Sequence, residues 1–158
     1  MMRGASNFEM NIIDALLGEH AALLTVFDHI QKFSSGWDLG HLRETGSLLE
    51  SLILTHAYLE DELLFDMIPE VHPGLAETLQ AMHQEHRELR GLLRHLQEAE
   101  NVREARGLLK HAMELAREHF AVEERVLFGL AGEVLGEDRL AALGQEWAER
   151  RHLSVAAV

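Results

Sequence analysis

No cysteine occurs among the 158 residues, which excludes disulfides, zinc–thiolate sites, iron–sulfur clusters and thiol catalysis together. Any metal must then be held by histidine and carboxylate. Positive charge is scarce too: 14 Lys and Arg stand against 27 Asp and Glu, a formal net charge of −13. Nucleic acid and anionic membrane both require a clustered positive surface, so neither is expected as a partner. No apolar run approaches the ~20 residues a membrane span needs. The opening MMRGASNFEMN has no apolar core with a small-residue cleavage site, so a soluble, cytoplasmic chain is expected. Only two prolines, Pro69 and Pro73, interrupt a sequence rich in Leu, Ala, Glu, Arg and His without long β-branched alternation. The expectation is an all-α chain, one domain over residues 1–158.

What is present is helical periodicity. Ser6 with Glu9 reads as a capping box opening a helix over about residues 7–33, with the stripe Ile13, Leu16, His20, Leu23, Phe27, Ile30. Ser34-Ser35-Gly36 interrupts it. A second helix from near Asp38 carries Leu48, Leu52, His56, Leu59, Leu63 and Met67 and must stop before Pro69. The third opens at Pro73 and carries Leu75, Leu79, Met82, His86, Leu89, Leu93 and Leu96. Asn101 with Glu104 caps a fourth, bearing Ala105, Leu109, Ala112, Ala116, His119, Glu123, Val126 and Leu130 up to Gly132 and Gly136. Long helices joined by short loops predict an up-down-up-down four-helix bundle over about residues 7–131. A short amphipathic C-terminal helix, about 137–152, offers Leu140, Leu143 and Trp147 and is expected across the outside or one end.

The chemistry lies in a repeat. HAYLEDELLF, starting at His56, returns as HFAVEERVLF, starting at His119, so each copy sets an imidazole and a carboxylate four residues apart on one helix face. Glu19-His20-Ala21-Ala22-Leu23 likewise resembles Glu85-His86-Arg87-Glu88-Leu89. The chain reads as two hairpins about a pseudo-twofold axis. His20 and His56 both lie ~20 Å from the first turn at ~1.5 Å per residue, and His86 and His119 stand in the same relation to the turn near Asn101. Four histidines with Glu60 and Glu123 therefore converge on one layer near mid-bundle. A lone histidine in a stripe is ordinarily a core residue with a satisfied hydrogen bond. Six polar groups in one layer would instead cost several kcal/mol per ionised carboxylate if unpartnered. The alternatives are a structural network of His⁺ and Glu⁻, or metal. Two divalent ions bridged by both glutamates and one hydroxide come close to neutrality. Imidazole and carboxylate favour iron, with zinc or manganese behind it.

These residues resemble the hemerythrin-like, or HHE cation-binding, domain over roughly residues 10–130. Its pattern of a first-helix His, a His-x-x-x-Glu, one or two third-helix His and a second His-x-x-x-Glu is met by His20, by His56 with Glu60, by His86, and by His119 with Glu123. The resemblance implies a non-haem di-iron centre with a bridging oxo or hydroxo group, binding dioxygen or, in some members, nitric oxide or iron as a signal. It also admits a di-iron redox enzyme (oxidase, peroxidase or ferroxidase), a nitrosative-stress repair factor and an iron-responsive interaction module. With no cysteine in the sequence for the leader that the repair factors carry, that option is the less expected one.

Oxygen carriers of the family place two third-helix histidines four apart and end on an aspartate five residues after the last His. Here His83 and His86 are three apart and the last carboxylate is Glu123. His83 is either a fifth imidazole, leaving one open position, or flank-facing, leaving open positions on both ions. The remaining histidines, His29, His41, His72, His95, His111 and His152, read as surface residues. Tyr58 points away from the centre, and Glu62 and Glu124 read as solvated. A monomer or homodimer is expected, the last helix offering a face for the latter.

Overall fold

The computed structural model describes residues 10–153, and no strand occurs among them. Helix α1 spans Ile12–Phe33, α2 Leu39–Leu63, α3 Ala76–Glu98 and α4 Val102–Val122. A π-turn, Glu123–Leu127, carries α4 on into α5, Phe128–Leu135, and α6, Glu137–Arg150, follows Gly136. Local chemistry sets the starts. Asn11 caps α1 in a reciprocal box, accepting from the Asp14 N–H at 3.0 Å while its own N–H donates to Asp14 at 3.2 Å. The Ser6–Glu9 box lies outside the described residues. Asp38 caps α2 and Asn101 caps α4, as the sequence predicts. Between α2 and α3, turns at Phe65–Met67, Ile68–Val71 and Pro73–Leu75 bury Phe65 and Ile68.

Each long helix turns one seam inward at alternating steps of three and four, the spacing that keeps a stripe facing its neighbours. On α1 the seam is Leu16, His20, Leu23, Phe27, Ile30; on α3 it is Leu79, Met82, His86, Leu89, Leu93, Leu96. On α2 it is Leu42, Gly46, Leu49, Ile53, His56, Glu60, Leu63. Here the first half of the expected stripe is one residue off, Leu48 and Leu52 being 56% and 38% exposed, while His56, Leu59 and Leu63 are buried as expected. Close packing decides the register, because Leu96 of α3 sits where a Cβ on Gly46 would be. On α4 the seam through Ala105, Leu109, Ala112, Ala116, His119 and Glu123 holds, but beyond it Leu127, Phe128 and Ala131 are buried in place of Val126 and Leu130. The π-turn adds a residue and so rotates the helix beyond it. Gly132 stays within α5, and Gly136, at φ 77°, ends it.

The seams build two hydrophobic clusters. One joins Leu16, Leu59, Leu63, Met82 and Leu127 to Leu140, Leu143 and Trp147 of α6. The other joins Leu23, Phe27, Ile53, Leu89, Ala116 and Phe120. Each fully buried Leu or Phe contributes about 1.5–3 kcal/mol. On α1, α2 and α3 the boundary between the clusters falls at a histidine, and on α4 it falls at Glu123, between Phe120 and Leu127. Helix α6 packs on α1, and its Gly144 lies directly against the backbone of Met10 and Asn11.

Candidate metal centre

Between the two clusters His20, His56, Glu60, His86, His119 and Glu123 form the only buried polar layer among the described residues, none more than 8% exposed. They fall into two overlapping quartets. His20, His56, Glu60 and Glu123 make one; Glu60, His86, His119 and Glu123 make the other, and in each the ligating atoms lie within 4.8 Å of one another. The Nε2 atoms of His20 and His56 are 3.0 Å apart, and those of His86 and His119 are 2.7 Å apart. Glu123 reaches both pairs with different oxygens: Oε2 is 3.2 Å from His20 Nε2 and Oε1 is 2.6 Å from His119 Nε2. Glu60 uses one, Oε2, 3.8 Å from His56 Nε2 and 3.6 Å from His86 Nε2. Phe120 stacks on the His20 ring at 4.0 Å between centroids and walls the layer on the side of the second cluster.

Every imidazole is held from behind by a carboxylate. His20 Nδ1–H donates to Glu124 at 2.9 Å, His56 Nδ1–H to Glu19 at 2.7 Å, His86 Nδ1–H to Asp61 at 3.1 Å and His119 Nδ1–H to Glu85 at 2.5 Å. A carboxylate only accepts, so these contacts assign the ring proton to Nδ1 and leave an Nε2 lone pair facing inward. Four lone pairs then meet two carboxylates. None of the four oxygens of Glu60 and Glu123 has a hydrogen-bond partner, although His20 and His119 approach Glu123 closely. Buried carboxylate oxygens without a partner, surrounded by imidazole Nε2 atoms, suit cations, and orienting carboxylates behind imidazoles are the usual support of metal-binding histidine.

The electrostatics agree. Burial, and then the neighbouring charge of Glu123, pushes the Glu60 carboxyl well above the usual carboxylate range. Burial would raise Glu123 as well, but the imidazoles of His119 and His20 outweigh it and hold the group low. Burial lowers the pKa of His56 despite its Glu19 partner, whereas at His119 the nearby Glu123 and Glu85 outweigh burial and raise it. Without an ion the two carboxylates share one centre on unequal terms.

The structure does not bring His83 into this layer. Its Nδ1 lies 3.0 Å from Asp61 Oδ1, on the outer side of the His86 ring, and the side chain is 30% exposed. Tyr58 is exposed, as are His29, His41, His72, His95, His111 and His152. Glu62 pairs with Arg150 at the surface. Glu124 corrects the sequence reading: it is partly open to solvent, yet its carboxylate, at the start of the π-turn, holds His20. Glu19, Asp61 and Glu85 were not singled out by sequence. Each of the four outer carboxylates is the chain neighbour of an inner residue of the layer: Glu19-His20, Glu60-Asp61, Glu85-His86 and Glu123-Glu124. That adjacency was the available signal.

Neither the curated proteins nor the solved structures compared with this chain gave a match. The sequence model described as the hemerythrin HHE cation binding domain matches residues 11–131, the stretch containing all six inner residues and all four outer carboxylates. A metal-binding helical domain with buried His/Glu quartets is what the fold and the match share, and the chain belongs to the hemerythrin HHE cation-binding domain family.

Proposed function

We propose that the four long helices run up-down-up-down and that the chain holds two iron ions, one at His20 and His56 and one at His86 and His119. Glu60 and Glu123 bridge them, and the protein binds or senses dioxygen or a similar small ligand such as nitric oxide. The observation that carries this reading is the inward face of the layer: four imidazole Nε2 atoms surround four buried carboxylate oxygens that have no hydrogen-bond partner. Iron bound there supplies reversible change of oxidation state and open positions for a diatomic ligand.

The chain's own groups do the rest. Glu19, Asp61, Glu85 and Glu124 keep the rings protonated at Nδ1 and pointed inward. Glu123 presents its two oxygens to different histidine pairs, the arrangement a bridging carboxylate requires. Phe120 and the clusters on either side restrict water.

A second reading, a di-iron redox enzyme, draws support from His83, which lies against Asp61 outside the layer and would not contribute a ligand to either ion. Metal analysis of protein purified without added metal, with absorption spectra of the reduced protein before and after air, separates the two. About two irons per chain with a reversible oxygen-dependent band is expected for binding or sensing. Irons that oxidise without holding oxygen favour the enzyme. A chain without bound metal overturns both.

A further inference from the structure

The two histidine pairs are not equivalent, and one difference between them comes from outside the family match. That match ends at residue 131, whereas α6 and the residue after it reach back to the centre. Arg151, 25% exposed, forms an ion pair with Glu19 Oε1, while Glu19 Oε2 accepts the proton of His56 Nδ1 at 2.7 Å. One carboxylate thus links α6 directly to an inner imidazole.

Glu85 is the pseudo-twofold counterpart of Glu19, preceding His86 and orienting His119. No arginine or lysine pairs with it among the described residues, and it is 33% exposed against 15% for Glu19. Arg151 is held where it is by the end of α6. The Leu153 N–H donates to the Ala148 carbonyl at 2.8 Å across His152 at φ 55°, a left-handed closure that fixes the last turn. Trp147 and Ala148 are buried, and Gly144 sits on the backbone of Met10 and Asn11, so the helix cannot slide along α1.

We propose that Arg151 is a positioning residue for the metal position at His20 and His56, and for that position alone. The inference rests on the metal reading above. By occupying one oxygen of Glu19, Arg151 keeps the other on His56 and keeps the ring turned inward. Without it Glu19 is free to turn to solvent, and His56 loses the partner that sets its tautomer and orientation. Losing such a partner lowers metal affinity about 10–100-fold.

The test is anaerobic titration of metal-free protein with Fe2+, and with Co2+ as a spectroscopic probe, following uptake step by step. The natural chain takes up two ions. Arg151→Gln is expected to bind one ion unchanged and the other about 10–100-fold more weakly, with Arg151→Lys recovering part of the loss. Arg150→Gln, which removes the pairs to Glu62 and Glu146 but leaves Glu19 alone, is expected to change neither step. In a His56→Ala background, where that position is already lost, Arg151→Gln has no further effect. Equal weakening of both ions, no weakening, or the same loss from Arg150→Gln overturns the proposal. If the natural chain takes up no ion, the metal reading itself fails and this inference falls with it.

Discussion

Glu60 and Glu123 stand in one buried layer, and without an ion only Glu123 is electrostatically suited to carry charge. Because Glu60 has a raised folded-state pKa, the folded chain binds a proton that the unfolded chain releases earlier. Its effect on the stability of the metal-free protein is therefore a loss as pH rises from the ordinary carboxylate range toward the folded-state value. Glu60→Gln removes the ionisable group and should raise metal-free stability near pH 7 by roughly 1–3 kcal/mol, while replacing a carboxylate that faces both His56 and His86. Urea unfolding of both metal-free proteins between pH 5 and 8 checks this; an unchanged slope with pH would show that Glu60 is not the group responsible.

The outer carboxylates should matter in proportion to what they hold. Glu124→Gln and Glu85→Gln keep the shape of the side chain but remove the charge facing an imidazole N–H. Each is expected to lower metal affinity about 10–100-fold with little change in helix content. Glu88→Gln, exposed on the same helix as Glu85, is the control and should leave affinity as it was. Competition with a chelator measures all three.

His83 and His86 are three residues apart and should behave differently. His86→Ala removes an inward Nε2 and is expected to cost one ion. His83→Ala removes a partner of Asp61, which still accepts from His86, and a longer contact to exposed Asp66. Metal content after gel filtration is expected to stay at the natural value for His83→Ala. A drop to one ion there would return His83 to the ligand set.

Two glycines in helices carry opposite expectations. A Cβ on Gly91, exposed in α3, meets nothing within 4 Å, so Gly91→Ala should stabilise by about 1 kcal/mol through lower backbone entropy in the unfolded chain. A Cβ on Gly144 meets the Met10 carbonyl and the Asn11 backbone, neither of which can swing aside as a side chain would. Gly144→Ala should destabilise by roughly 1–3 kcal/mol. Thermal melts of the two variants give both signs in one experiment.

The inner six residues were legible because helical spacing and depth from the turns are properties of sequence: His56 with Glu60 and His119 with Glu123 share a face whatever surrounds them. Helix α2 was harder. Leu48, Leu49, Leu52 and Ile53 form two apolar rows one residue apart, and periodicity alone cannot choose between them; the approach of Leu96 to Gly46 does. Glu19, Asp61, Glu85 and Glu124 escaped for a different reason. A partly exposed carboxylate beside a core residue is what any amphipathic helix shows, and only the fold reveals that each faces an imidazole of another helix. Arg151 lay further still from any motif.

The π-turn at Glu123–Leu127, in which the Phe128 N–H donates to the Glu123 carbonyl, amounts to an insertion. An unbroken α-helix would place inward residues at 126 and 130 after Glu123; the chain buries 127, 128 and 131. A relative whose fourth helix runs straight past its last carboxylate will therefore align with this chain only if a one-residue gap is opened between Glu123 and Leu127. Pairing residues there without a gap would match Val126, which is exposed, to a core position of that relative.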